Sequence, residues 1–276
     1  VLSCTDACLI KERPHDAVNG IKIMMKILKV KHADIFIGED MYREAYELLD
    51  FIKNRTLIDV RLMKSKYPQG DERQLLAAAY RIELPYDKLP LDSEAVVFNI
   101  STCVAVYDAL LHGMPMTHKF ITVSGDAVRE PHILKVPIGL PFADVLNACG
   151  GVAENSHIID GGLMMGREAD LKDAYVTKQT TAVCAVSSVP EYDGTQCVRC
   201  GRCENACPMR LPVSRIYELS SVGDVRACAS LGVLQCVGCG CCSYVCVGAL
   251  PLVRVMQDTK VKAYSLISER EETESK

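Results

Sequence analysis

The sequence contains no tryptophan, only 5 phenylalanines in 276 residues, and no long hydrophobic run. Its longest apolar stretches are short: IKIMMKIL is broken by lysines and LLAAAY ends at Arg81, so neither approaches the roughly eighteen residues of a membrane span. The sequence shows no signal-peptide pattern. A net charge of -4 gives no general attraction to nucleic acid or anionic lipid. These features predict a cytosolic protein, or a peripheral one held in place by partners.

Cysteine, by contrast, is abundant: the chain has 15, most of them between residues 197 and 246. In a small secreted protein this number would indicate disulfides, but this chain is neither small nor visibly secreted. Two segments, QCVRCGRCENACP and QCVGCGCCSYVCV, each place four cysteines at C-x2-C-x2-C-x3-C spacing. Such clustering indicates metal binding in a reducing compartment.

The spacing of the two cysteine segments is typical of two-cluster ferredoxins. Three cysteines in a tight loop bind three irons of a [4Fe-4S] cube, and the fourth cysteine binds the other cluster. We therefore predict two clusters with crossed ligands, one bound by Cys197, Cys200, Cys203 and Cys246, and the other by Cys236, Cys239, Cys242 and Cys207. Structural zinc is the alternative, but zinc usually takes two separated C-x2-C pairs and leaves the other cysteines unexplained.

Seven cysteines stand outside this ligand set. Cys241 is an alternative ligand to Cys242, because it lies beside two predicted ligands. Cys4 and Cys8 have no firm role. The others are predicted to be small buried hydrophobic side chains, namely Cys103, Cys149, Cys184 and Cys228.

The part of the chain before the cysteine segments has mixed α/β character. ADIFIG (33–38), a helix at 41–52 and TLIDVRLM (56–63) predict a βαβ unit with a parallel sheet. AVVFN (95–99) is predicted as a further strand. From about residue 115, KFITVSGDAV and HILKVPIG predict short strands and PFADVLNACGG a short helix, which together indicate a small α+β region. The segments between the cysteines have helical texture and predict a mostly helical ferredoxin module.

Two segments of the α/β region are candidates for holding a flavin or a phosphate. YPQGDERQLL forms a turn before a helix, whose N–H groups can face such a ligand, at Gly70, Asp71 and Glu72. VVFNIST ends a predicted strand at the edge where α/β sheets bind ligands, with Asn99, Ser101 and Thr102. Ordinary helix capping explains both sets as well or better, so both interpretations stay open.

Taken in order, these segments resemble the RnfC family of the Rnf electron-transport complex, a family related to the NADH-oxidising flavin subunit of respiratory complex I. YPQGDERQLL and FNISTCVAVYDAL resemble the flavin-site segments of that family. The stretch from PMTHKF to ACGG is similar to its β-grasp (SLBB) domain, IDGGLMMG to its glycine turn, and the paired cysteine segments to its ferredoxin module. The resemblance covers almost the whole chain.

The resemblance implies a division into three domains and a tail. Residues 1–114 would form an α/β FMN/NADH-binding-like domain that is incomplete at its N-terminus. Residues 115–190 would form the β-grasp domain with a connecting segment, 191–262 the mostly α-helical two-cluster module, and 263–276 a charged tail. The family's glycine-rich flavin-phosphate loop would lie upstream of VLSCTDACL, so the chain is expected to be a fragment in which Asp6 follows the family's acidic segment.

The resemblance also implies a function. Hydride would pass between NAD(H) and FMN, and single electrons would pass through two [4Fe-4S] clusters to or from a partner. In Rnf this links ferredoxin and NAD to ion transport by membrane subunits, with the RnfC protein peripheral on the cytoplasmic face; no catalytic residue is assigned. Two alternatives stay open: an RnfC-like donor to a soluble reductase of the proline reductase or corrinoid reductase type, and a non-enzymatic iron–sulfur relay whose α/β part is a scaffold without flavin.

Overall fold

A computed structural model of the chain describes residues 5–52, 57–194 and 196–274. Its α-helices are α1 (Thr5–Glu12), α2 (Pro14–Leu28), α3 (Tyr42–Ile52), α4 (Glu72–Tyr80), α5 (Ile100–Leu111), α6 (Phe142–Asn147), α7 (Arg202–Ala206), α8 (Val213–Ser221), α9 (Val225–Ser230), α10 (Cys241–Tyr244) and α11 (Leu252–Glu274). Its strands are β1 (Ala33–Gly38), β2 (Ile58–Met63), β3 (His118–Ser124), β4 (His132–Pro137), β5 (His157–Asp160), β6 (Arg167–Glu168) and β7 (Ala182–Val186). Cys4, the first residue of the predicted strand 56–63 and the last two residues of the predicted tail lie outside the described residues.

The chain divides into two compact units, each built from two separate segments. Unit 1 comprises Val1–Tyr67 and Val96–Val189, and unit 2 comprises Pro68–Ala95 and Pro190–Lys276. Residues 68–95, which the sequence division places in an N-terminal domain, therefore belong to the same unit as the cysteine segments. Each unit is described by itself.

The first part of unit 1 contains the predicted βαβ arrangement. Strands β1 and β2 pair in parallel, from Ala33 opposite Ile58 to Gly38 opposite Met63, and α3 connects them. Apolar side chains from the strands and α3 share one core with those of α2, since each element carries them at its own period. Leu48 at the centre of α3 is fully buried.

Helices α2 and α5 approach each other closely in this core. A Cβ atom at Gly20 would lie 2.0 Å from the carbonyl oxygen of Cys103, so any larger residue at this position would force the helices apart. The glycine is therefore required by packing.

The predicted strand at 95–99 is not present. In the structure these residues form no regular element, and α5 begins directly after them. Val96 and Phe98 are exposed, so the short apolar run that suggested a strand faces solvent at these two positions. A strand needs a neighbour for its backbone groups, and the segment pairs with neither β1 nor β2.

The second part of unit 1 is a five-stranded sheet in the order β4-β3-β7-β5-β6. Strands β3 and β7 are parallel, and the remaining pairs are antiparallel. Helix α6 packs Phe142, Val145 and Leu146 against one face of the sheet. This agrees with the small α+β region expected from residue 115.

Unit 2 is mostly helical, as predicted. Helices α7 to α11 enclose a core that includes Leu211, Ile216, Leu250 and Met256 together with several of the cysteines. The predicted tail is not separate from the module, because α11 continues through it as far as Glu274. Apolar residues keep helical spacing beyond Met256, and one of them, Ala263, is buried in the core. Even α11, the longest helix of the described residues, is too polar to cross a lipid bilayer, and the shorter helices do not qualify either.

Candidate metal centres

Two cavities in unit 2 each gather four cysteines. Cavity A is lined by Cys236, Cys239 and Cys242 of the second segment and by Cys207 of the first. Cavity B is lined by three cysteines of the first segment and one of the second, namely Cys197, Cys200, Cys203 and Cys246. This grouping of side chains matches the crossed scheme expected from the spacing, while iron–sulfur ligation itself stays a prediction.

The backbone produces this arrangement by repeating one local conformation. When Cys197 is aligned with Cys236, the two segments have left-handed residues at three equivalent pairs of positions. These pairs are Arg199 and Gly238 (φ 54° and 68°), Gly201 and Gly240 (71° and 80°), and Arg210 and Ala249 (55° and 46°). In each segment a short helix then brings the third cysteine back towards the first two, and the fourth lies past its end. The left-handed turns wrap the chain around a central space.

Several N–H groups point at the cysteine sulfurs, as expected of an iron–sulfur site. The donors are the main-chain N–H of Arg199 to Cys197 Sγ (3.4 Å), of Leu211 to Cys207 Sγ (3.4 Å) and of Leu250 to Cys246 Sγ (3.5 Å), and the side-chain amide of Gln257 to Cys236 Sγ (3.5 Å). Such donors stabilise negative charge on sulfur. The residues present therefore fit a thiolate-bound cluster.

The thiols around cavity A are costly to ionise without a metal. Burial raises the pKa of all four, to about 11 for Cys239 and about 12 for Cys242. Mutual repulsion among the sulfurs acts in the same direction. A cationic metal core would offset this penalty, because metal binding displaces thiol protons.

The segment 68–95 packs against cavity A. The side-chain amide of Gln74 lies 2.8 Å from Sδ of Met209, and Met209 lines the cavity. The guanidinium of Arg73 donates to the side-chain oxygen of Gln235 (3.3 Å), the residue before Cys236. These contacts place the GDERQ turn at the cavity A end of unit 2.

Sequence reasoning missed Arg73, Gln74 and two residues of α11 that support cavity A. Gln257 contacts Cys236 Sγ, and Lys260 donates to the carbonyl oxygen of Cys236 at 2.7 Å. Gln257 and Lys260 form no recognisable motif within α11, so the sequence alone does not distinguish them from surface residues. A glutamine before the first cysteine of both segments was the available signal for Gln235.

The first set of flavin candidates lies in unit 2. Asp71 caps α4 by accepting hydrogen bonds from the main-chain N–H groups of Arg73 (3.0 Å) and Gln74 (3.2 Å). Glu72 begins the helix and is exposed. A Cβ atom added to Gly70 would meet no atom within 4 Å, so the protein's own packing does not require glycine there.

The second set lies in unit 1. Asn99 caps α5 by accepting from the Ser101 N–H (2.8 Å), and Thr102 belongs to the first turn of the helix. The Asn99 amide also donates to a carboxylate oxygen of Asp6 at 2.9 Å. Both Asp71 and Asn99 therefore act as helix N-caps, as the capping interpretation predicted. The structure also brings Asn99 into contact with Asp6.

Four of the remaining cysteines are buried, which confirms their prediction as small hydrophobic side chains: Cys103, Cys149, Cys184 and Cys228. Cys8 and Cys241 are half-buried. Cys241 begins α10 and hydrogen-bonds to the side chain of Cys239, but it does not line cavity A.

Comparison with known protein families identifies two domains in the chain. The Nuo51 FMN-binding domain family matches residues 1–108, and the SLBB domain family matches residues 120–168. In the solved NAD+-reducing [NiFe]-hydrogenase in the H2-reduced state, one chain matches with a TM-score of 0.54 and 15% identity, over 86% of this chain and 43% of that one. That likeness shows the fold, and with the two domain matches it confirms the predicted fold class.

Curated relatives include the RnfC-type protein of the proton-translocating ferredoxin:NAD(+) oxidoreductase complex of Clostridium ljungdahlii, 38% identical over 74% of this chain and 45% of the relative. Its counterpart in the Na(+)-translocating complex of Acetobacterium woodii is 34% identical over 78% of this chain and 49% of the relative. The counterpart in the ion-translocating oxidoreductase complex of Rhodobacter capsulatus is 34% identical over 84% and 46%. The chain thus spans about half the length of these relatives. Its cysteine cavities, its two domain matches and these relatives agree, and the chain belongs to the RnfC family.

Proposed function

We propose that this chain transfers electrons between NAD(H), FMN and two [4Fe-4S] clusters as part of an Rnf-type ferredoxin:NAD oxidoreductase coupled to ion transport. The observation that carries the proposal is the pair of cavities that each gather four cysteines from both segments. Each cluster would take three ligands from one cysteine segment and its fourth ligand from the other segment. The two clusters would therefore lie close together in one compact unit and could pass electrons between them.

Cavity A and cavity B would each hold one cluster through their four cysteines. The cluster supplies reversible one-electron transfer, and the protein supplies N–H donors to sulfur and an apolar lining. Cavity A is lined by Met209, Leu211, Val213 and Met256 among others, so water has little access to that centre. Burial and N–H donors are two of the means by which proteins tune the potential of such clusters.

Two candidate flavin contacts are proposed separately, one in each unit: the turn at Gly70, Asp71 and Glu72 in unit 2, and the α5 start at Asn99, Ser101 and Thr102 in unit 1. A bound FMN accepts hydride from NADH and releases its electrons singly, which is the conversion that a cluster pair requires. Open space at Gly70 leaves the turn accessible to a ligand. The Asn99 amide, held by Asp6, is a ready polar contact.

The partners in this proposal are membrane subunits of an Rnf complex and, directly or through them, ferredoxin. The relatives' names place those proteins in ion-translocating complexes. The proposed location is peripheral, on the cytoplasmic face. A soluble reductase remains the alternative acceptor, and co-purification of the tagged chain from its host would distinguish the two.

The central test uses anaerobic reconstitution with iron and sulfide, followed by EPR of the reduced protein. Each cluster gives a signal that changes when one of its ligands is replaced. We expect Cys246→Ser to alter the same signal as Cys200→Ser, and Cys207→Ser to alter the same signal as Cys239→Ser. Cys241→Ser is the matched control, because Cys241 does not line cavity A, and it should retain the full iron content.

Other results would contradict the proposal in different ways. A pairing of Cys246 with Cys239 would show that each cluster is bound within one segment. A chain that takes up zinc but no iron and sulfide would establish the zinc alternative.

Flavin binding is tested separately, by quenching of FMN fluorescence. Because a side chain at Gly70 meets nothing in the protein, Gly70→Val should leave the fold and cluster spectrum unchanged and weaken FMN at least about tenfold by steric exclusion. Cluster formation without FMN binding would favour the scaffold alternative.

A further inference from the structure

The residues that line the two cysteine cavities differ in exposure, although each cavity includes at least one buried cysteine. Around cavity A, Cys236, Cys239 and Cys242 are 8–9% exposed. Cavity B, by contrast, includes the exposed Cys200 and is lined by two valines, Val198 and Val247, that are 63% and 56% exposed. Apolar side chains of this kind at the mouth of a site are typical of a surface that a partner covers.

The mouth of cavity B also carries positive charge. Arg199 and Arg202 line it, and its lining residues include no carboxylate. Glu218 accepts from both Arg199 (3.1 Å) and Arg215 (3.2 Å), so two guanidinium groups share one carboxylate. The nearby Glu204 accepts a hydrogen bond from Ser214 at 2.5 Å. These side chains carry three positive and two negative charges, a small excess of positive charge in a chain of net charge -4.

Cavity A faces a different neighbour. The GDERQ turn contacts it through Gln74 and Met209, and through Arg73 and Gln235. That turn is one of the two candidate flavin contacts. One end of the relay is thus next to the flavin-type turn, and the other is bordered by exposed valines and arginines.

We infer that the mouth of cavity B, formed by Val198, Arg199, Cys200, Arg202 and Val247, is the docking surface for an acidic one-electron carrier protein. The inference rests on the proposed function. In each encounter one electron passes between the reduced centre of one protein and the oxidised centre of the other, and no bond is made or broken. A small apolar patch with a charged rim suits such brief complexes, which need fast association more than high affinity.

The test reverses one rim charge and leaves the cysteines in place. Arg202 is the first residue of α7 and is exposed, and a glutamate there is compatible with the positive end of a helix. Arg226 is an exposed residue in the first turn of α9, so Arg226→Glu is a matched control with the same charge change. A reduced plant-type ferredoxin, an acidic carrier, is mixed with the oxidised cluster-loaded chain in a stopped-flow instrument.

We expect R202E to lower the second-order rate constant roughly fivefold at low salt, with a smaller difference at high salt, because the rim steers the acidic carrier. R226E should change nothing. Reduced methyl viologen, a small cationic donor, should reduce wild type and R202E without the fivefold deficit. If R202E lowers the cluster absorbance, Arg215→Gln replaces it, since Arg215 lies on α8, outside the cysteine segments, and shares Glu218 with Arg199.

Equal rates for wild type and R202E with ferredoxin, or equal losses in R202E and R226E, would overturn the inference and leave the proposed function intact. Absence of cluster absorbance in the unaltered chain would refute the proposed function itself, and this inference with it.

Discussion

Replacement of Arg73 tests the connection between the GDERQ turn and cavity A. Its guanidinium donates to the carbonyl oxygens of four loop residues, Leu84 (3.1 Å), Pro85 (2.9 Å), Tyr86 (3.1 Å) and Lys88 (3.0 Å), and to Gln235 (3.3 Å). One side chain therefore holds α4, the loop at 84–88 and the residue before Cys236 together. Arg73→Ala should release that loop from the rest of unit 2.

The expected size follows from the exposure of these hydrogen bonds. Three of them, to Leu84, Tyr86 and Gln235, are partly buried, and the other two are exposed. A hydrogen bond from a charged donor contributes about 1.5–3 kcal/mol when well shielded, and we take about 1 kcal/mol for each partly buried one. The total of about 3 kcal/mol corresponds to a change of roughly 150-fold in an opening equilibrium. Relief of repulsion between Arg73 and Lys260 offsets a small part of it.

Hydrogen–deuterium exchange of the cluster-loaded chain measures this opening locally. In R73A, amide hydrogens in and after the loop at 84–88 should exchange roughly a hundredfold faster, whereas those of α8 should not change. Arg73→Lys retains the charge but not the planar five-donor group, and should recover about half of the lost free energy. Arg226→Ala, which removes an exposed arginine elsewhere in unit 2, is the control. An increase of less than about threefold in R73A would refute the idea that this side chain fixes the loop.

Two further predictions concern unit 1. Gly20→Ala should destabilise unit 1 by about 2–3 kcal/mol, because the new Cβ atom would collide with the carbonyl oxygen of Cys103. Gly70→Ala is the control and should be nearly neutral, since a Cβ atom there meets nothing within 4 Å. Thermal unfolding measures both variants, and equal losses of stability would contradict the packing argument. Asp108→Asn should cost about 1–3 kcal/mol near neutral pH, since it breaks a two-pronged ion pair with Arg13 (2.6 and 2.8 Å). Arg13 lowers the pKa of Asp108, so the ion pair stabilises the fold fully above about pH 4, and this stabilisation is lost as the pH falls further. If wild type and D108N differ in unfolding free energy by the same amount at pH 3 as at neutral pH, this reasoning is wrong.

The sequence predicted the elements whose own residues specify them. The βαβ unit, the helices around the cysteines and the grouping of cysteines by spacing all depend on local periodicity or on a fixed motif. The strand predicted at 95–99 is absent because a short apolar run forms a strand only where a neighbouring strand pairs with its backbone, and the presence of that neighbour depends on tertiary structure. Val96 and Phe98 belong to such a run and are nevertheless exposed.

Contacts between distant segments were not predictable from one sequence. Nothing in GDERQ indicates that Gln74 will contact Met209, or that Arg73 will bind the oxygen of Gln235. Likewise, the spacing of Gln257 and Lys260 within a long polar helix does not reveal that both face Cys236. Their roles depend on how the chain returns to itself, which local pattern does not encode.

The exchange of Cys207 and Cys246 between the two cavities has a consequence for assembly. Neither cysteine segment alone presents four thiols to one space, because each contributes its last cysteine to the other's cavity. A half-translated or half-folded module would hold three ligands at most. If the cavities hold clusters as proposed, loading of either centre is coupled to the folding of both halves, and intermediates with a single loaded centre should be scarce during maturation.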